Sequence, residues 1–154
     1  MIKFDKVLVA SDFSEHSRVA LAYGAEIAKT FDAEVLLLHV VVKPDILPQV
    51  PPGGEGYFPP NLSEQQSQNA QQESERWLAD SQIKRGRILI PSGTPFVEIV
   101  RCARDENVDL IVIGTHGRGP IAHILLGSVA EKVVRHAPCP VLTVREGEHE
   151  FVLP

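Results

Sequence analysis

At 154 residues and a formal net charge of −5, the chain suits one well-buried domain and is too acidic for a nucleic-acid backbone to be its principal partner. Its 44% hydrophobic content fits a packed core, and no apolar run approaches the roughly 18 residues that span a bilayer. The basic, apolar start MIKFDKVLVASDFS holds only a short VLVA core between Asp5 and Asp12, so it reads as a strand and not as a secretion signal.

Five short runs rich in Val, Ile and Leu read as strands: Lys6 to Ala10, Glu34 to Val41, Gly86 to Ile90, Leu110 to Ile113 and Val141 to Val144. Helical patterns fill the gaps between them. In the first, Ala20, Gly24, Ile27 and Phe31 share a face. The segment 43–62, with its prolines and glycines, forbids a regular element and reads as a long loop. Tyr57 and Phe58 are the aromatics there that could fold over a ligand. Ser63 with Gln66 resembles a capping box opening a polar second helix that runs to about Lys84. Only Ala70, Trp77 and Leu78 can anchor that helix, which makes it the most exposed one expected. Thr94 and Pro95 suit the start of a third helix with the stripe Phe96, Ile99, Val100 and Ala103. Ser128 opens the last helix, whose expected buried face is Ala130, Val133, Val134 and Ala137.

Strands alternating with helices imply an α/β fold, a parallel sheet with right-handed crossovers and helices on both faces. Such sheets bind ligands beyond the carboxyl ends of their strands, where strand order reverses. Asp12, Val40 and Gly114 fall at the ends of the first, second and fourth strands, and so converge on one rim. No internal repeat or second domain is visible, so residues 1–154 read as a single domain with an acidic tail at 146–154.

Gly114 opens the stretch GTHGRGPIAHILLGS, which joins the fourth strand to the last helix. Glycines there allow positive φ and let a ligand approach the amides, while a helix N-terminus offers unpaired N–H groups to an anion. Gly127, Ser128 and Val129 are expected to supply such amides, with Gly114 and Gly117 folding the loop round a phosphate. Ser128 and Glu131 also spell S-x-x-E, a capping box that would use the hydroxyl for the helix; the two roles are compatible.

The spacing Gly114, two residues, Gly117, nine residues, Gly127-Ser128 resembles the G-x2-G-x9-G-[ST] pattern of the ATP-binding universal stress proteins. The opening VLVASDFSEHSRVAL and the closing VAEKVVRHAPCPVLTVR are similar to that family's two ends. The resemblance covers Met1 to Arg145. It implies a three-layer α/β sandwich with a five-stranded parallel sheet in the order 3-2-1-4-5, usually homodimeric. It puts Asp12 at the ribose of ATP, the Val40 backbone beside the adenine, and Ala10 along the adenine pocket. Gly114, Gly117, Gly127, Ser128 and Val129 would surround the phosphates. Pro120 and the 43–62 insertion depart from the pattern and bear on how the loops close.

Other candidates are weaker. Arg118 suits either a terminal phosphate or a solvated loop; His116 and His123 lack metal spacing, so no metal site is expected from the protein alone. A magnesium ion would come with ATP and Asp12. Asp12 could equally cap the first helix, as could Ser14. His39 ends an apolar strand and reads as a satisfied, partly buried histidine, and Ser11 lacks a nucleophile-elbow context. Cys102 and Cys139, without metal spacing, fit reduced structural thiols in a cytoplasmic protein. No GxxxxGK[ST] sequence supplies a phosphate-binding Lys. The expected function is therefore ATP binding in a stress-response or regulatory protein that acts through conformation and an unknown protein partner. A slow ATPase or nucleotidyl-transfer enzyme, or an interaction module with a vestigial pocket, are the alternatives. Pro138 and Pro140 before the fifth run suit an edge strand, and the resemblance implies a homodimer through Val141 to Val144.

Overall fold

The computed structural model describes residues 1–43, 61–115 and 126–145. Outside them lie the proline-rich segment with Tyr57 and Phe58, the loop residues His116, Gly117, Arg118, Pro120 and His123, and the tail 146–154. The elements run β1 (Lys6–Ala10), α1 (Glu15–Phe31), β2 (Glu34–Leu38), α2 (Leu62–Asp80), β3 (Gly86–Leu89), α3 (Pro95–Asp105), β4 (Leu110–Gly114), α4 (Ser128–His136) and β5 (Val141–Val144). All four strand pairings are parallel and the order is β3-β2-β1-β4-β5.

Strand alternation divides the core in two. Val7, Val9, Val35 and Leu37 pack with Ala20 and Leu21 of α1 and Trp77 of α2 on one face. Leu8, Leu36 and Ile111 pack with Ile99 and Ala103 of α3 and Val133 of α4 on the other. Strands covered on both faces have no polar side, which is why their sequences are continuous apolar runs. At Gly24 the approach of α1 to β1 is closest: an added Cβ would stand 2.5 Å from Val9 Cγ2.

Several boundaries differ from the sequence expectation. β2 stops at Leu38 rather than Val41, because β1 and β3 end at Ala10 and Leu89 and leave no regular ladder on both sides. Val41 is tied only by an isolated bridge to Ser92. β3 likewise ends one residue early, and β4 continues through Gly114, paired with Val144. α2 begins at Leu62 with Asn61 as its N-cap and no side-chain capping bond, so Ser63 lies inside the first turn and forms no capping box. That helix ends at Asp80, short of Lys84, where the chain turns through Gln82 in the left-handed region (φ 54°). It buries only Ala70, Ser74 and Trp77. Thr94 takes the N-cap of α3 without a side-chain bond, and Pro95 follows at the first helical position. Val134 is 47% exposed, not buried, since the helical rotation that seats Ala130 and Val133 on the sheet turns it outward. Cys102 and Cys139 are free and half-buried, and burial pushes both thiols up. No described helix is long and apolar enough to cross a membrane.

Candidate functional site

The chain leaves β1 through a tightly bonded turn. Asp12 Oδ1 accepts from the Ser14 amide (3.0 Å) and from the Ser17 hydroxyl (2.6 Å). Ser14 is the N-cap of α1 and accepts from the Ser17 amide, so capping falls to Ser14 while Asp12 braces the turn that positions it. Both Asp12 bonds use Oδ1; Oδ2 takes no hydrogen bond from a described residue. Burial pushes the carboxyl up, but the Ser14 and Ser17 bonds outweigh it and hold Asp12 below the usual carboxylate range. It is therefore an anion at neutral pH with one oxygen available.

Phe13 sits in the left-handed region with φ of 60°, a conformation that costs an aromatic residue on the order of 1–3 kcal/mol. Its amide donates to Ser11 Oγ (3.1 Å) and its ring stacks on His39 at 4.3 Å, edge-on to Trp77 at 5.4 Å. His39 Nδ1 lies 2.9 Å from the Ser11 carbonyl, in keeping with a satisfied histidine. The neighbouring contacts hold the strained turn, and with it Asp12, in place.

Across the rim, α4 presents its N-terminus. Gly127, not Ser128, is the N-cap, and Glu131 N bonds Gly127 O; the S-x-x-E sequence is one residue out of register for a capping box. The Gly127 amide donates to the Thr115 carbonyl and is thus consumed within the fold. The amides of Ser128, Val129 and Ala130, in the first turn, have no intrahelical acceptor and carry the positive end of the helix dipole. The anion-ready set is therefore 128–130 rather than 127–129. Neither Gly114 nor Gly127 has positive φ. Gly114 is instead a packing position: a Cβ there would lie 3.0–3.1 Å from the His16 side chain and backbone at the start of α1.

These parts enclose a cleft of about 1180 Å³ above the carboxyl ends of β1, β2 and β4. Ala10, Asp12, Val40, Gly114, Gly127, Ser128 and Val129 all line it; Gly117 and Arg118 lie outside the described residues. The cleft also has a wall that sequence reasoning missed. Gln66, Asn69 and Glu73 of α2 face it, with Ala70 between them. Their spacing, i, i+3 and i+7, puts them on one helical face, and this was the available signal. The sequence reading took α2 only for an exposed helix with a few anchors. No described lining residue is Lys or Arg, and the described residues contain no metal-binding group of three His, Cys, Asp or Glu side chains.

The chain is thus a parallel α/β sheet whose strand order reverses beside β1, with a cleft at that reversal, the place where such sheets take ligands. The chain belongs to the universal stress protein family, whose model matches residues 3–145. It is 36% identical to universal stress protein MJ0531 of Methanocaldococcus jannaschii, over 96% of this chain and 85% of that one. It is 33% identical to MJ0577 of the same organism, over 94% of this chain and 96% of that protein. The solved structure of MJ0577 superposes with a TM-score of 0.81, covering 96% of this chain and 99% of the other. A universal stress protein solved in complex with cAMP shares the fold at 23% identity, with a TM-score of 0.68 over 95% of this chain and all of the other.

Proposed function

We propose that this chain binds ATP in the rim cleft and works as a cytoplasmic stress-response or regulatory protein through conformation and partner contacts. One observation carries the reading: the open amides of Ser128, Val129 and Ala130 line the same cleft as an ionised Asp12 with Oδ2 to spare. The amides suit phosphate oxygens, the carboxylate suits ribose hydroxyls, and the apolar walls at Ala10, Val40, Ile99 and Ile113 suit a base. Family membership, and a relative that holds cAMP, support a nucleotide as the ligand class. Gly117 and Arg118 would complete the phosphate site from the connecting loop. A magnesium ion would come with the nucleotide, held by its phosphates and by Asp12.

The proposed assembly is a homodimer through Val141 to Val144. Among the described strands β5 pairs only with β4, which favours pairing of its other side with a second copy. Denaturing freshly purified protein and identifying what is released tests the ligand; an adenine nucleotide is expected. Light scattering at micromolar concentration tests the assembly, and a monomer there would end the dimer reading.

A further inference from the structure

The cleft is electrically lopsided. On the α3–α4 side it offers the first-turn amides of α4; the α1–α2 side is lined by Asp12 and Glu73. The side chains of Gln66 and Asn69 line the same wall and make no hydrogen bond to any described residue. Glu73 is held in place rather than free to swing: its Oε1 accepts from the Trp77 indole (2.9 Å) and its Oε2 from Arg76 (3.3 Å). Trp77 is itself buried beneath the Phe13 ring, so the wall is fixed to the turn that carries Asp12.

From this juxtaposition we infer that the α2 face, Glu73 with Asn69 and Gln66, is a specificity-determining wall that rejects ligands bearing a second phosphate on their sugar hydroxyls. The inference rests on the nucleotide reading. With the 5′ phosphates drawn to the α4 amides, the hydroxyl edge of the sugar faces Asp12 and the α2 wall beyond it. A free hydroxyl there donates to Asp12 Oδ2 and exchanges hydrogen bonds with the Asn69 and Gln66 amides. A phosphate at the same position has no donor to offer a carboxylate. It meets the charge of Asp12, with Glu73 beyond it paired to Arg76, and no described lining residue is a Lys or Arg that would attract it. The wall thus separates a nucleotide with an unmodified sugar from one phosphorylated at the 3′ position.

The test compares ADP with adenosine 3′-phosphate 5′-diphosphate by calorimetry on the full chain. The wild type should bind ADP at least about tenfold more tightly, with the gap shrinking as salt screens the repulsion. Glu73→Gln keeps an oxygen for the Trp77 indole and removes the charge; it should narrow the ratio by about threefold, with thermal stability near wild type. Asn69→Lys, on an exposed helical position, should narrow the ratio further by giving the extra phosphate a cation. Equal binding of both nucleotides by the wild type, or a ratio unmoved by either substitution while ADP still binds, overturns the wall alone. Binding of neither nucleotide overturns the wall and the nucleotide reading together.

Discussion

The two rims of the sheet treat their polar groups in opposite ways. At the amino rim the charges are spent on the fold. Asp109 Oδ2 accepts from the amides of Asp5 (2.8 Å) and Lys6 (2.9 Å), and Lys6 Nζ donates to the Glu106 carbonyl (2.8 Å). Arg87 grips both oxygens of Glu106 and reaches Glu34 at 3.4 Å; the Arg87 bonds hold the Glu106 carboxyl below its ordinary range. At the carboxyl rim, half of the Asp12 carboxylate, three helix amides and two side-chain amides take no partner among the described residues. A rim whose groups are satisfied internally has nothing left for a ligand. A rim that leaves donors and acceptors open can pair them with a ligand. Binding capacity here is the polar inventory that folding does not consume.

Substitutions at the two rims should therefore separate stability from binding. The largest effect is expected from Gly114→Val, which drives a side chain into the first turn of α1; overpacking of this kind costs about 1–3 kcal/mol. Thermal melts without ligand should show the loss, and a melt like wild type would restore a purely ligand-related role for this glycine. Asp109→Ala comes next, at about 1–2 kcal/mol, because it strips the acceptor from two strand-start amides. Ligand affinity should stay at the wild-type value, since the change is at the far end of the sheet. A drop in affinity there would erase the contrast between the rims.

Asp12→Asn should be the mildest for stability, within about 1 kcal/mol at neutral pH, because the amide oxygen can still accept from Ser14 and Ser17. Its signature lies in the acid limb. The carboxyl pKa is lower in the folded protein than in the unfolded chain, so its contribution is present above the unfolded value, near about 4, and is lost as pH falls through the folded one. Acid titration of stability should be shallower below about pH 4 in the variant. Ligand affinity should fall roughly tenfold at neutral pH with the loss of a charged acceptor. An unchanged affinity would remove Asp12 from the site.

The fold class was legible because its code is local and repeated, apolar runs of strand length separated by helical stripes; the strand order came from the family resemblance. The rim was legible for a similar reason, since Asp12, Val40 and Gly114 each mark a strand end. What escaped the sequence depended on three-dimensional closeness or on a one-residue register. Gly114 reads as a loop glycine until α1 is seen packed against it. Ser128 reads as a cap until Gly127 is found in that place, with its amide already bonded to Thr115. Gln66, Asn69 and Glu73 look like ordinary surface residues, because nothing local reveals that the N-terminal half of α2 stands over the rim. Phe13 in the left-handed region is hidden in the same way, since its strain is sustained by His39 and Trp77, both distant in sequence.

The claim that the open amides of α4 form a phosphate site is tested most directly by calorimetry of ATP against wild type, Gly127→Val and Ser128→Ala. Gly127 has φ −65° and ψ 153°, which valine adopts without strain, so that variant should fold with its side chain in phosphate space. The wild type should bind ATP with micromolar affinity, about −8 kcal/mol, and more tightly than AMP. Gly127→Val should weaken ATP at least about tenfold and shrink its advantage over AMP, whereas Ser128→Ala, which keeps the amides, should change affinity by less than about 1 kcal/mol. A wild type that binds neither nucleotide, or a folded Gly127→Val that binds ATP unchanged, would contradict the account.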